Sequence, residues 1–141
     1  MNFKKIICGA LVAGACMASL PAMAGELTAF QYFERGVLSQ THDKIDEAIG
    51  NYNKSAELDA NYAPTFYNRG ICLSKMGEKT QALADFNRAI ELNPKYVAAY
   101  INRGNYYLEA GDKAKAVADF NAALAVVPTN KQALEGKAKC N

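Results

Sequence analysis

A strict 34-residue repeat constrains the fold of this 141-residue chain more than any other feature. The stretch TFYNRGICLSKMGEKTQALADFNRAIELNP, residues 65–94, returns at residues 99–128 as AYINRGNYYLEAGDKAKAVADFNAALAVVP. A fainter copy precedes both, so that residues 29–62, 63–96 and 97–130 align without a gap. Periods of about 20–50 residues are typical of solenoids, in which each unit buries its apolar face against the next one.

The three copies share residue types at fixed offsets. Aromatic residues stand at the fourth and twenty-fourth positions, Arg-Gly at the seventh and eighth, and Ala at the twentieth. In the second copy, Phe66, Gly70 and Leu73 fall on one face of a predicted first helix. Gly77 then marks a turn, and Pro94 ends a second helix. Each copy is therefore predicted to be a helical hairpin.

These offsets resemble the tetratricopeptide repeat (TPR) family. The resemblance covers residues 29–130 and implies an all-α solenoid, in which three helix-turn-helix repeats form a right-handed superhelix with a concave groove. Residues 131–141 are similar to the short capping helix that follows a last repeat, and Gly136 predicts that this helix frays or is incomplete. The first repeat, residues 29–62, is diverged because it has Ala60 where the others have Pro.

The seventh position departs from the family pattern, which has Leu where this chain has Arg. A charge at a packing position needs a partner, and Asp85 and Asp119 follow Arg69 and Arg103 by sixteen residues. We therefore expect an ion pair inside the second and third repeats, whereas the first repeat has Asn51 at the acidic position. The alternative is an arginine whose stem packs while its head reaches water.

Residues 1–24 have the layout of a secretory signal peptide. Two lysines precede an uncharged apolar run, residues 6–20, and the sequence AMA follows it. We expect cleavage after Ala24 and a periplasmic or secreted mature protein. Two alternatives stay open: an uncleaved membrane anchor, and an envelope lipoprotein that is lipidated at Cys16 in the sequence AGAC.

Removal of this segment balances the charge of the chain. The precursor has 16 Lys and Arg, and loss of the two signal lysines leaves 14 basic residues against 14 acidic ones. A balanced chain has no general attraction for nucleic acid, and we expect membrane association only if the protein is lipidated or uncleaved. Of the remaining cysteines, Cys72 lies at a core position, whereas Cys140 is either a free thiol or an intermolecular bridge.

The residues needed for catalysis are missing from the pattern. The only histidine, His42, lies in a polar turn of the first repeat, which favours a surface histidine over a ligand. The glycines belong to the repeat, and neither a nucleophile motif nor a phosphate-binding loop occurs. We expect no enzyme activity, no cofactor and no metal site.

The resemblance also assigns a candidate binding surface, because the first helix of each TPR lines the groove. Carried over by position, it implies a peptide-binding groove that consists of Phe33, Val37, Tyr67, Asn68, Ile71, Lys75, Ile101, Asn102 and Asn105. Asn68 and Asn102 are candidates for holding a peptide backbone through paired donor and acceptor bonds; the alternative is that they bond within their own superhelix. TPRs that grip acidic chaperone tails need Lys, Asn and Arg at groove positions. Here the fifth positions are Phe33, Tyr67 and Ile101, so a mixed apolar and polar ligand is expected.

The sequence thus predicts a non-catalytic protein–protein interaction module or adaptor of the bacterial cell envelope. Its partner is expected to be a segment of another protein, held in the concave groove. The main alternative is a self-assembling homo-oligomer, since a short cap leaves part of the third repeat's apolar surface open.

Overall fold

A computed structural model describes residues 26–141 as seven helices without a strand. The helices are α1 (Ala29–Thr41), α2 (Ile45–Leu58), α3 (Ala63–Lys75), α4 (Lys79–Leu92), α5 (Val97–Glu109), α6 (Lys113–Val126) and α7 (Lys131–Ala138). The predicted signal peptide and the alternative lipidation site at Cys16 lie outside the described residues. None of the described helices is both long and apolar enough to cross a membrane.

The helices form three hairpins that stack in chain order. The closest packing is within the pairs α1–α2, α3–α4 and α5–α6, and the second helix of each pair also packs on the next first helix. The helix α7 covers α6 and touches α5, so it takes the place of the first helix of a further repeat. The predicted all-α arrangement of three helical hairpins and a short capping helix is confirmed.

The turn inside each hairpin uses one residue in the left-handed backbone region. Gly77 and Gly111 have φ values of 83° and 82°, and Asp43 takes the same place in the first hairpin with a φ of 58°. Aspartate tolerates this conformation better than most residues that carry a Cβ atom. The first hairpin therefore keeps the turn geometry without glycine.

An aromatic ring on each second helix packs on a glycine of the first helix in the same hairpin. The pairs are Tyr52 with Gly36, Phe86 with Gly70 and Phe120 with Gly104. A Cβ atom on these glycines would lie 2.5, 2.8 and 2.9 Å from the nearest ring atom, respectively, which is closer than packed atoms approach. Alanine at the twentieth position is completely buried beside each ring, at Ala48, Ala82 and Ala116.

Both predicted ion pairs are present. The Arg69 guanidinium donates from Nε and Nη2 to the two carboxylate oxygens of Asp85, at 2.8 and 2.7 Å. Arg103 binds Asp119 in the same way, at 2.8 and 2.6 Å. The aspartate side chains are only 8% and 6% exposed, so the alternative of a fully solvated arginine is wrong for these repeats.

The same arginines also join neighbouring hairpins. Arg69 Nη1 donates to Asn53 Oδ1 on α2 at 2.9 Å, and Arg103 Nη1 donates to Asn87 Oδ1 on α4 at 2.7 Å. Each guanidinium therefore connects the second helix of its own hairpin to the second helix of the preceding one. The first-repeat arginine, Arg35, is exposed.

The prediction that Gly136 weakens the capping helix is wrong, because α7 continues through it to Ala138. Gly136 packs on the ring of Phe120, where a Cβ atom would lie 2.5 Å from two ring carbons. Ala133 is completely buried, and the Cys140 thiol donates to the Gly136 carbonyl at 3.3 Å. Cys140 is thus a buried free thiol and not an exposed one, and Cys72 lies in the core as predicted.

Two glycine-to-alanine substitutions are expected to have opposite effects on stability. Gly136→Ala is expected to lower the free energy of unfolding by about 1–3 kcal/mol, because its methyl group meets the Phe120 ring. Gly50→Ala, inside α2, is expected to raise it by up to about 1 kcal/mol, because nothing lies within 4 Å and alanine favours a helix. Urea unfolding followed by circular dichroism measures both. Equal stabilisation by the two substitutions would contradict the packing of α7 on Phe120.

Candidate functional site

The first helices of the hairpins and the capping helix share one surface, here called the first-helix surface (α1, α3, α5 and α7). Between α3, α5 and α7 it holds a cavity of about 260 Å³. The cavity is lined by Tyr67, Ile101, Asn102, Asn105, Gln132, Glu135, Gly136 and Lys139. All of these residues except Lys139, which directly follows α7, lie on a first helix or on α7. No second helix therefore contributes to the cavity.

The structure brings four of the nine predicted groove residues together in this cavity. Asn105 is exposed, Tyr67 and Asn102 are half-buried, and Ile101 is only 5% exposed. Ile101 also packs in the core of the third hairpin. It therefore forms part of the cavity floor rather than an open apolar contact.

The other predicted residues lie further along the first-helix surface. Phe33 and Val37 border a shallow, mainly apolar depression on α1, of about 440 Å³, together with the exposed Phe30 and Leu38 and with Glu34. Ile71 packs against the core of the second hairpin. Asn68 is half-buried on α3, and Lys75 is exposed at the end of that helix.

The two candidate asparagines bond within their own superhelix through the amide nitrogen. Asn68 Nδ2 donates to the Pro64 carbonyl, one helical turn earlier, at 2.9 Å. Asn102 Nδ2 donates to the Ala98 carbonyl at 2.9 Å and to the Tyr67 hydroxyl oxygen at 3.1 Å. Both amide hydrogens of Asn102 are used in this way, so it offers a ligand only its Oδ1 acceptor.

Two tyrosines that the repeat pattern did not predict as groove residues lie against the predicted groove. Tyr62 packs edge-on against Phe33, with ring centroids 5.2 Å apart, and Tyr96 packs on Tyr67 at 4.8 Å. Both tyrosines cap the start of a first helix and occupy the last position of a repeat, 34 residues apart. That equal spacing was the signal that could have found them. Together with Phe30 they form an aromatic row, defined as Phe30, Phe33, Tyr62, Tyr67 and Tyr96.

Comparisons with known proteins agree with this geometry. Two family models, both described as tetratricopeptide repeat, match residues 63–96 and 86–118. Among solved structures, the first TPR of Spaghetti (RPAP3) bound to the HSP90 peptide SRMEEVD matches with a TM-score of 0.77. Its identity is 27%, over 80% of this chain and 90% of that chain. This chain has the fold of a TPR solenoid.

Two further TPR structures are similar to this solenoid. The Arabidopsis OM64 TPR domain matches with a TM-score of 0.76 and 25% identity, over 80% of this chain and 93% of that one. The second TPR domain of human RPAP3, in complex with the HSP70 peptide SGPTIEEVD, matches with a TM-score of 0.74 and 28% identity. That match covers 79% of this chain and 93% of the RPAP3 chain. A search of curated protein sequences finds no significant match.

The TPR solenoid keeps the phenols of Tyr67 and Tyr96 protonated. The pKa of Tyr96 is raised to about 12, first by burial and then, to a smaller extent, by the nearby phenols of Tyr67 and Tyr62. Burial also raises the pKa of Tyr67, although the hydrogen bond from Asn102 partly opposes the shift. These hydroxyls can therefore donate hydrogen bonds at any physiological pH.

The shifted pKa of Tyr96 gives an expected pH dependence of stability. Because the folded-state pKa of about 12 lies above the usual 10.0, its contribution is intact below pH 10 and is lost as the pH rises toward 12. The free energy of unfolding should fall more steeply above pH 10 for the natural chain than for Tyr96→Phe. Urea unfolding at a series of pH values from 9 to about 11 measures the difference. Parallel curves for the two proteins would contradict a buried Tyr96 phenol.

The described residues show no arrangement that suggests catalysis. Within residues 26–141, no group of three or more His, Cys, Asp or Glu side chains could hold a metal ion. His42 is exposed in its turn, and its ring Nδ1 lies 2.8 Å from the Leu38 carbonyl. Charged side chains occur both in the cavity, at Glu135 and Lys139, and next to it. Lys79 and Glu109, for example, pair with each other at 3.1 Å.

Proposed function

We propose that the TPR solenoid is a non-catalytic interaction module that binds an extended segment of another protein on its first-helix surface. The observation that carries this proposal is the set of half-buried aromatic and amide side chains on the first helices, namely Phe33 on α1, Tyr67 and Asn68 on α3, and Asn102 on α5. The two similar RPAP3 structures hold peptides of HSP90 and HSP70, which supports a peptide ligand here as well.

The internal bonds of the surface favour binding. Tyr67 is held between Tyr96, Phe86 and the amide of Asn102, so the ligand meets side chains that are already ordered. A preorganised surface loses little conformational entropy when it binds, and only the ligand has to become ordered. Three repeats offer a small contact area, so we expect a dissociation constant in the micromolar range, or about −8 kcal/mol.

The charge of the surface argues against an acidic ligand. Both RPAP3 ligands end in the acidic sequence EEVD or MEEVD. In this solenoid the fifth positions of the first helices are Phe33, Tyr67 and Ile101, none of which can pair with a carboxylate. Lys79 is already paired with Glu109 and Lys75 with Asp43, and the cavity that Lys139 lines also contains the acidic Glu135. The ligand we propose is therefore an uncharged or weakly charged segment.

We propose the bacterial envelope as the place where the module acts, on the layout of residues 1–24. Fractionation of cells followed by mass spectrometry of the intact protein tests this. A mature chain that begins at Gly25 in the periplasm or medium is the expected result. A lipidated chain that begins at Cys16 would support the lipoprotein instead, and an uncleaved chain in the membrane would support the membrane anchor.

A photo-crosslinker at matched positions tests the binding surface. Asn105 and Asn121 are both exposed asparagines, but the first lies on α5 in the first-helix surface and the second on α6. With p-benzoylphenylalanine at each position, we expect a partner protein from envelope extract to crosslink through position 105 and not through position 121. Crosslinking through position 121 alone would contradict the proposed surface.

Self-assembly is the second candidate, and exposed apolar side chains at both ends of the solenoid favour it. Phe30 and Leu38 are exposed on α1, and Val126, Val127 and Leu134 are exposed near the C-terminus. If both crosslinker positions trap only a second copy of the chain, and its mass falls on dilution, the homo-oligomer replaces the adaptor.

A further inference from the structure

We propose that the segment bound by the first-helix surface is proline-rich and lies along the aromatic row in the polyproline II conformation. The inference rests on the proposed function and names the chemistry of its ligand. It is carried by the geometry of the row, by the hydroxyl groups within it and by its lack of charge.

The aromatic row is continuous within each of two sections. Ring centroids are 6.1 Å apart between Phe30 and Phe33, and 5.2 Å between Phe33 and Tyr62. In the next repeat the centroids of Tyr67 and Tyr96 are 4.8 Å apart. Each section pairs a fifth-position ring of a first helix with the tyrosine that begins the next first helix. The row therefore presents one aromatic pair in each of the first two repeats, whereas the third repeat has Ile101 and Asn130 at these positions.

The spacing of such pairs suits a polyproline II helix. First helices that contact each other, as α1 and α3 do, lie about 8–10 Å apart. A polyproline II helix has three residues per turn and rises about 3.1 Å per residue, which gives a turn of about 9 Å. Two ligand residues that are three positions apart would therefore meet the two aromatic pairs. Grooves lined by aromatic rings are a known way of recognising proline-rich segments, whose ordering costs little entropy.

The hydrogen-bonding groups of the row also fit this ligand. The Tyr67 hydroxyl oxygen accepts from Asn102 Nδ2, so its own proton is left to point toward another acceptor. A polyproline II segment makes no internal hydrogen bonds, and its carbonyl groups are free acceptors. The Oδ1 atoms of Asn68 and Asn102 are acceptors for the N–H groups that the ligand has between its prolines. A segment that mixes proline with other residues satisfies both kinds of group.

The absence of charge from the row separates this ligand from an acidic one. All five side chains of the row are uncharged, and the raised pKa values of Tyr67 and Tyr96 keep their phenols neutral. A carboxylate placed on the row would lose its hydration without gaining a cation. A neutral proline-rich segment avoids this cost and buries its rings against the aromatic faces.

Calorimetric titration with synthetic peptides tests the inference on the chain from Gly25 onward, which contains all described helices. The probes are a ten-residue polyproline peptide, a Gly-Ser peptide of equal length and the acidic peptide SRMEEVD. We expect binding of the polyproline peptide alone. Tyr96→Ala should weaken it about tenfold by removing one ring of a pair, and Tyr67→Phe about fivefold by removing one hydroxyl donor. Tyr32→Phe, a hydroxyl loss on α1 outside the row, is the matched control and should leave affinity unchanged.

Three results would overturn the inference. Equal binding of the Gly-Ser peptide would mean that proline is not recognised. An unchanged affinity in both Tyr96→Ala and Tyr67→Phe would mean that the peptide binds elsewhere. Failure of the polyproline peptide to bind, while position 105 still crosslinks to a partner, would remove the proline-rich ligand and leave the proposed function intact. Failure of both experiments would remove the proposed function as well.

Discussion

Replacement of Phe120 by alanine is expected to lower the free energy of unfolding by about 3–5 kcal/mol. The ring is completely buried and lies between two glycines, Gly104 on α5 and Gly136 on α7. Removing it leaves a cavity that neither glycine can fill, and the third hairpin and the cap lose their common contact. Because domains of this size are stable by only about 5–15 kcal/mol, the loss is a large share of the total.

Phe30→Ala is the matched control for this substitution. It removes the same ring from a side chain that is 53% exposed, so the expected loss is below about 1 kcal/mol. Urea unfolding followed at 222 nm measures both proteins. Similar losses in the two variants would mean that Phe120 does not organise the C-terminal core.

Asp119→Ala is expected to cost about 3 kcal/mol, the lower end of the range for breaking a buried ion pair. The substitution leaves the Arg103 guanidinium, which is only 19% exposed, without its bidentate partner. One bond, from Nη1 to Asn87 Oδ1, remains and limits the loss. A chain with one uncompensated, partly buried charge should also unfold at a clearly lower temperature.

The first repeat supplies an internal control for the ion pair. Arg35 has the same repeat position as Arg103, but it is exposed and Asn51 replaces the aspartate. Arg35→Ala is therefore expected to change the free energy of unfolding by less than about 0.5 kcal/mol. An Asp119→Ala variant that melts at the same temperature as Arg35→Ala would contradict an energetic role for the pair.

The architecture could be predicted from the sequence because its determinants repeat with the chain. Each turn is marked in the sequence by a glycine or an aspartate. The ion pair inside the hairpin is marked by the sixteen-residue spacing of Arg69 and Asp85. The cap could not be predicted in the same way. Glycine disfavours a helix by about 1 kcal/mol, and only the packing of Gly136 on Phe120 explains why α7 continues through it. Gly136 stands where the second and third repeats have Asn68 and Asn102, so their pattern does not predict a glycine packed on the ring.

The candidate site was predictable by position but not by chemistry. Its first-helix residues could be named from the alignment. The hydrogen bonds of Asn102 could not, because they depend on the orientation of its side-chain amide. A side chain of this type can reach its own helix backbone or a ligand, and the sequence pattern is identical in both cases. Tyr62 and Tyr96 were missed because they precede their helices and fall outside the usual groove positions.

The hydrogen bonds between neighbouring hairpins also affect how the number of repeats can change during evolution. Arg69 reaches back to Asn53, and Arg103 reaches back to Asn87, each by the same distance along the chain. A tandem duplication of residues 63–96 would therefore carry both an arginine for the hairpin before it and an asparagine for the hairpin after it. A duplicated unit would already contain the residues for the hydrogen bonds to both of its neighbours. Growth of the array by gene duplication therefore requires no compensating change at the junction.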